Sequence, residues 1–121
     1  MGNNGELGRR GEDIALEFLS GRGYRFVARN WRCRHAELDI VVEDGNCLRI
    51  VEVKTRMHGS IAPIENVGSD KIKMIIRATD SFVRRYNIEK EVVFDIISVV
   101  IGNEGYTVEY TPEAFNVLTK K

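Results

Sequence analysis

The sequence predicts an α/β fold, a mixed sheet of about five strands flanked by helices. Three observations carry this: two segments with apolar residues at helical spacing, several strand-length runs that alternate or are wholly apolar, and their order along the chain. That order is helix, three strands, helix, two strands. At 121 residues the chain suits a single domain spanning 1–121.

From Glu6 to Ser20, Leu7, Ile14, Ala15, Phe18 and Leu19 recur at helical spacing, and "GRG" at 21–23 stops the helix. Tyr24, Phe26 and Ala28 alternate with Arg25, Val27 and Arg29, the pattern of a half-buried strand. "AELDIVVE" and "LRIVEVKTR" read as two strands, and the intervening "DGN" as a hairpin turn. A loop containing Gly59, Pro63 and Gly68 leads to a second helix, capped by Ser69 or Asp70. Its apolar face is Ile72, Ile75, Ile76, Thr79, Phe82, Val83 and Tyr86. "EVVFDIISVVI" is apolar on both alternations, which predicts a central strand covered on both sides. "YTVEYT" should be the last strand, with Thr111 and Pro112 capping a short final turn.

Bulk properties narrow the function classes. No apolar run approaches the roughly 18 residues of a membrane span, and "MGNNGELGRRGED" lacks the apolar stretch of a secretory signal, so no membrane partner and a cytoplasmic location are expected. Cys33 and Cys47 form no CxxC pair, and a zinc site using them with His35 and His58 is disfavoured by the Cys-x-His spacing within a strand. Basic and acidic residues balance at 18 each, so no global charge drives the chain toward nucleic acid. Locally, five arginines and no acid lie from Arg22 to Arg34, interleaved with Tyr24, Phe26 and Trp31. Arg25, Arg29 and Arg32 are therefore candidate phosphate contacts, against the simpler reading of a solvated edge strand.

The hairpin register concentrates the chemistry. With Gly45-Asn46 as the loop, Asp44 pairs with Cys47, Asp39 lies opposite Glu52 and Glu37 opposite Lys54; with Asp44-Gly45 as the loop the pairings slide by two and the faces are unchanged. Either way Leu38, Ile40 and Val42 join Val51 and Val53 on an apolar face. The other face holds Glu37, Asp39, Glu52 and Lys54 at one end and Val41, Leu48 and Ile50 at the other. Two carboxylates across a ladder stand ~5 Å apart, and at an effective dielectric near 20 they repel by about 3 kcal/mol. A solvated face would relieve this, but Val41, Leu48 and Ile50 share it and need cover. A half-covered face with clustered acids suits a hard cation such as Mg²⁺. Glu12 falls at the border of the first helix's apolar stripe, from which it can reach the same open edge.

The spacing Asp39, twelve residues, then Glu52-Val53-Lys54 resembles the PD-(D/E)XK signature of the restriction-endonuclease-like superfamily, with Leu38-Asp39 in place of Pro-Asp. "GRRGEDIALEFL", "GYRFVARNWRCR", "AELDIVV", "VEVKTR", "NVGSDK" and "FDIISV", in that order, resemble the YraN-like family of small predicted bacterial endonucleases over nearly the whole chain. Holliday-junction resolvases share the layout and add a first-helix glutamate. The resemblance implies a restriction-endonuclease-like core and a Mg²⁺-dependent endonuclease, with Mn²⁺ as substitute, acting on branched or structured DNA. Glu12, Asp39 and Glu52 would face the metal with the Val53 carbonyl, and Lys54 would be the catalytic lysine. Lys71 would join Arg25, Arg29 and Arg32 in binding nucleic acid, and Glu37 and Asp95 are secondary candidates. Ala36 replaces the family's usual glycine and Met74 a common basic residue, departures that touch the DNA-binding surface more than the metal site. A two-fold substrate would match a homodimer. The alternative expectation is a non-catalytic nucleic-acid-binding adaptor that keeps the fold.

Overall fold

The computed structural model describes residues 5–60 and 67–115. The elements follow the expected order: α1 (Glu6–Gly21), β1 (Arg25–Cys33), β2 (Ala36–Glu43), β3 (Cys47–Met57), α2 (Ser69–Arg85), β4 (Glu91–Gly102) and β5 (Gly105–Phe115). They build one five-stranded sheet ordered β1-β2-β3-β4-β5. Only the β3–β4 pair is parallel, because α2 carries the chain back across the sheet between those strands. This is the architecture that the resemblance to a restriction-endonuclease-like core implied.

Each helix covers one face. On one side Ile14, Ala15 and Leu19 of α1 pack on Ile40, Val42, Val51, Ile97, Val99 and Ile101. On the other, Ile75, Ala78 and Phe82 of α2 pack on Leu38, Val41, Leu48, Ile50 and Phe94. β4 contributes to both layers, as its doubly apolar sequence requires. No helix among the described residues is long and apolar enough to cross a membrane.

The hairpin closes through Asp44 and Cys47, with Asp44 N–H donating to Cys47 O at 3.2 Å, so the loop is Gly45-Asn46. Gly45 takes φ +98, and the Asp44 carboxylate accepts the Asn46 and Cys47 amides at 2.9 and 2.8 Å. The ladder then runs from Glu43–Leu48 to Ile40–Val51.

Several local expectations are corrected. Leu38 packs under α2 and not with Ile40, because β1 and β2 both change face at Asn30 and Asp39. Asn30 has φ +51, and Arg29 pairs with Ile40 and Trp31 with Leu38 while no Asn30–Asp39 pair intervenes. Phe26 is 52% exposed, because a register shift between Phe26 and Ala28 turns Val27 and Ala28 inward instead. α2 begins after Gly68 without a side-chain cap from Ser69 or Asp70. Pro112 caps no final turn: β5 continues through it to Phe115, which an edge strand tolerates because its outer N–H positions need no partner. Pro63 lies outside the described residues.

Candidate metal centre at the open end of the hairpin

The β2–β3 ladder stops at Ile40–Val51, and the next bond is made by a side chain: Val53 N–H donates to Asp39 Oδ2 at 2.9 Å. The two strands thus part just where their acids lie. Asp39, Glu37 and Lys71 line a cleft of about 210 Å³ under the start of α2. Lys71 Nζ reaches Glu52 Oε2 at 2.9 Å, and Lys54 Nζ stands 4.0 Å from the same oxygen. Asp39, Glu52 and Lys54 therefore share one side, as the register predicted.

Glu12 joins them from α1. Gly11 lets the helix sit directly on β3, since a Cβ there would come within 2.8 Å of Thr55 Cβ and overlap the Thr55 hydroxyl. Glu12, Glu37 and Asp39 each bring a carboxylate oxygen within 4.8 Å of the others, the one such group among the described residues. Glu37, a secondary candidate in the sequence, is thus in the cluster, whereas Glu52 stands beside it, 5% exposed and held by Lys71. Cys33 and Cys47 lie at opposite ends of the β1–β3 layer and cannot share a zinc ion: Cys33 pairs with Ala36 at the start of β2, Cys47 follows the hairpin loop at its end.

Electrostatics follow from burial. Desolvation, then the charge of Glu52, pushes the Asp39 carboxyl up to about 8, against the opposing pull of the Val53 amide. Burial also raises Glu12, opposed by hydrogen bonds from Arg29 and Asn30. An all-oxygen cluster whose members resist ionisation together is a donor set that a hard divalent cation would relieve.

The basic candidates separate. Arg29 Nε donates to Glu12 Oε1 at 3.2 Å, its Nη1 lies 2.8 Å from Asp13 Oδ1, and its Nη2 donates to Arg9 O at 3.1 Å. It is a counter-ion for α1 acids, because its pairing with Ile40 sets it on the sheet face that α1 covers. Arg32 is exposed, 3.7 Å from Glu37 Oε1. Arg25 is exposed too, but it pairs with Glu43 at the far end of β1. Lys71 lies inside the acid cluster.

Asp95 belongs to a separate structure. It is fully buried beside Val51, on the α1 side, and accepts from Arg49 Nη1 at 3.1 Å, Tyr110 Oη at 2.7 Å and Glu113 N–H at 2.8 Å. Arg49 also holds Asp44 at 2.8 Å, so the arginine ties the hairpin turn to β4. Burial, then the bond to Asp95, raises the Tyr110 hydroxyl strongly.

The residue that sequence reasoning missed is Asn30, whose Nδ2 donates to Glu12 Oε2 at 3.3 Å and Glu37 Oε2 at 2.7 Å. An asparagine inside an otherwise strand-like "ARNWR" was the available signal, since Asn is disfavoured in strands and tolerant of positive φ.

A family model described as "Uncharacterised protein family UPF0102" matches residues 11–99. A UPF0102 protein of Bacteroides thetaiotaomicron is 43% identical over 116 residues, covering 95% of this chain and 96% of its own. Another from Porphyromonas gingivalis is 40% identical, covering 100% of this chain and 92% of its own. One from Dictyoglomus turgidum is 38% identical at 93% and 99% coverage. A model match over most of the chain, together with relatives of this similarity along nearly their full lengths, means that the chain belongs to the UPF0102 family, the YraN-like proteins whose motifs it carries.

Proposed function

We propose that this protein is an endonuclease that hydrolyses phosphodiester bonds of branched or structured DNA with Mg²⁺, or Mn²⁺ in its place, held by Glu12, Glu37 and Asp39. One observation carries the reading: acids from α1 and β2 converge oxygen to oxygen where the hairpin opens, beside Glu52 and two lysines. Glu52 and the Val53 carbonyl are the further ligands that the PD-(D/E)XK resemblance implies. When bound, the cation supplies a water of lowered pKa and withdraws charge from a phosphate oxygen.

The chain's own groups do the rest. The Val53 amide orients the Asp39 carboxylate, so its second oxygen is left for the cluster. Lys54 presents an ammonium on the acid side of β3, positioned to stabilise charge gathering on the phosphorane. Lys71, at the first turn of α2, is the second cation near the scissile phosphate, and exposed Arg32 on the neighbouring edge strand holds the flanking backbone. A cytoplasmic enzyme acting as a homodimer on a two-fold junction suits this chemistry.

The adaptor reading is favoured by one observation: Lys71 already neutralises Glu52, and Arg29 already neutralises Glu12. Cleavage of flap, junction and linear duplex DNA under Mg²⁺ or Mn²⁺ separates the two. Wild type should cut, Lys54→Ala should keep its cation response yet cut orders of magnitude more slowly, and Asp39→Asn should lose the cation response. If wild type binds these DNAs and cuts none under either metal, the adaptor reading stands.

A further inference from the structure

Asn30 occupies an unusual position for a strand residue. Its φ of +51 lies in the left-handed region, where glycine is the least costly occupant. The backbone turn is what sends Arg29 to the α1 side and Trp31 to the α2 side, where the indole meets Phe82 edge-on at 5.1 Å. Glycine would serve that turn equally well. What glycine lacks is the amide, and here its nitrogen is fully used: carrying two hydrogens, it donates to Glu12 and to Glu37. These two acids come from different elements, α1 and β2, and would otherwise repel.

We propose that Asn30 is a positioning residue of the acid cluster: its left-handed backbone aims one amide between Glu12 and Glu37, and so holds their carboxylates in convergence on Asp39. This rests on the cation reading above. It adds that the geometry of the cluster is prearranged by a neutral donor. A lysine or arginine in the same place would draw the acids together just as well, but would compete with an incoming cation through its charge; an amide holds both oxygens without adding to the positive charge that Arg29 and Arg32 already bring to Glu12 and Glu37. The remaining lone pairs of Glu12 Oε2 and Glu37 Oε2 stay available, since a carboxylate oxygen accepts more than one partner.

The substitution Asn30→Gly isolates the amide, because it keeps the positive φ and removes only the side chain. The readout is the rise in thermal midpoint on titration with Ca²⁺ or Mn²⁺ without DNA, backed by calorimetric cation affinity, so it does not depend on cleavage. Wild type should be stabilised at millimolar cation. Asn30→Gly should fold with a metal-free midpoint close to wild type and bind the cation about tenfold more weakly, the loss expected when two hydrogen bonds to charged acceptors no longer restrain them. In a Glu37→Gln background the same substitution should cost less than tenfold, since one of the two restrained charges is gone. Equal cation affinity in wild type and Asn30→Gly overturns the positioning role and leaves the cation reading intact. Tighter binding in Asn30→Gly also overturns it, because the amide would then be a competitor. Wild type that responds to neither cation overturns the cation reading and the role of Asn30 with it.

Discussion

Replacing Asp39 by asparagine should flatten the pH dependence of stability in the metal-free protein. The Asp39 carboxyl is pushed from 3.8 up to about 8, first by desolvation and then by Glu52. A carboxyl raised in this way binds its proton more tightly in the folded chain than in the unfolded one. Stability is therefore full below about pH 4 and is lost as pH rises toward 8, the reverse of a salt-bridged carboxylate. A rise from 3.8 to about 8, at about 1.36 kcal/mol for each pH unit, sets an upper limit on the order of 5 kcal/mol. Asp39 borders an open cleft, and water there screens the penalty, so we take about 3 kcal/mol. For a domain of this size that is roughly 10 °C in thermal midpoint. Glu12, also raised by burial, adds to the same slope. Asparagine keeps an oxygen for the Val53 N–H, so the fold at this point survives the change. The assay is thermal unfolding from pH 5 to 9 with a chelator, wild type beside Asp39→Asn, repeated with millimolar Mg²⁺. The midpoint of wild type should fall with pH while that of Asp39→Asn falls much less, by what Glu12 alone contributes, and Mg²⁺ should remove most of the fall in wild type alone. Parallel profiles for the two proteins would refute the reasoning, since the burial of Asp39 would then carry no proton linkage.

Two further outcomes test the framework around the site. Gly11→Ala should lower stability by about 1–3 kcal/mol, because a methyl group meets Thr55 and forces α1 away from β3; cation binding should weaken too, since Glu12 moves with the helix, and an unchanged calorimetric affinity would show that Glu12 is dispensable. Arg49→Leu should cost about 3–5 kcal/mol in denaturant unfolding at pH 7, because Asp95 is left charged and fully buried. Any DNA cleavage by that variant should persist below its melting temperature, for Asp95 lies on the sheet face opposite Glu52.

Much of this architecture is written in local patterns. Helix periodicity in 6–21 and 69–85, the Asp-Gly-Asn turn and the doubly apolar β4 each follow from rules that act within a few residues of one another. A strand's period of two also fixes which side chains share a face, so the convergence of Asp39, Glu52 and Lys54 could be read once the hairpin register was set by its turn. The family motifs added Glu12.

What the local pattern could not decide lies where that period breaks. The positive φ of Asn30 and the unpaired Asp39 opposite it reverse the faces of both strands, and alternation carried through Asp39 misplaced Leu38, while no local pattern showed that α1 covers Arg29. Alternation had already set Glu37 beside Asp39; what the break adds is the Asn30 amide between Glu12 and Glu37. Arg49 likewise gave no sign of joining a hairpin turn to a strand 46 residues away. Such contacts depend on how elements distant in sequence stack on one another, and a hydrogen bond or ion pair across them is chosen by packing, which no window of neighbouring residues contains.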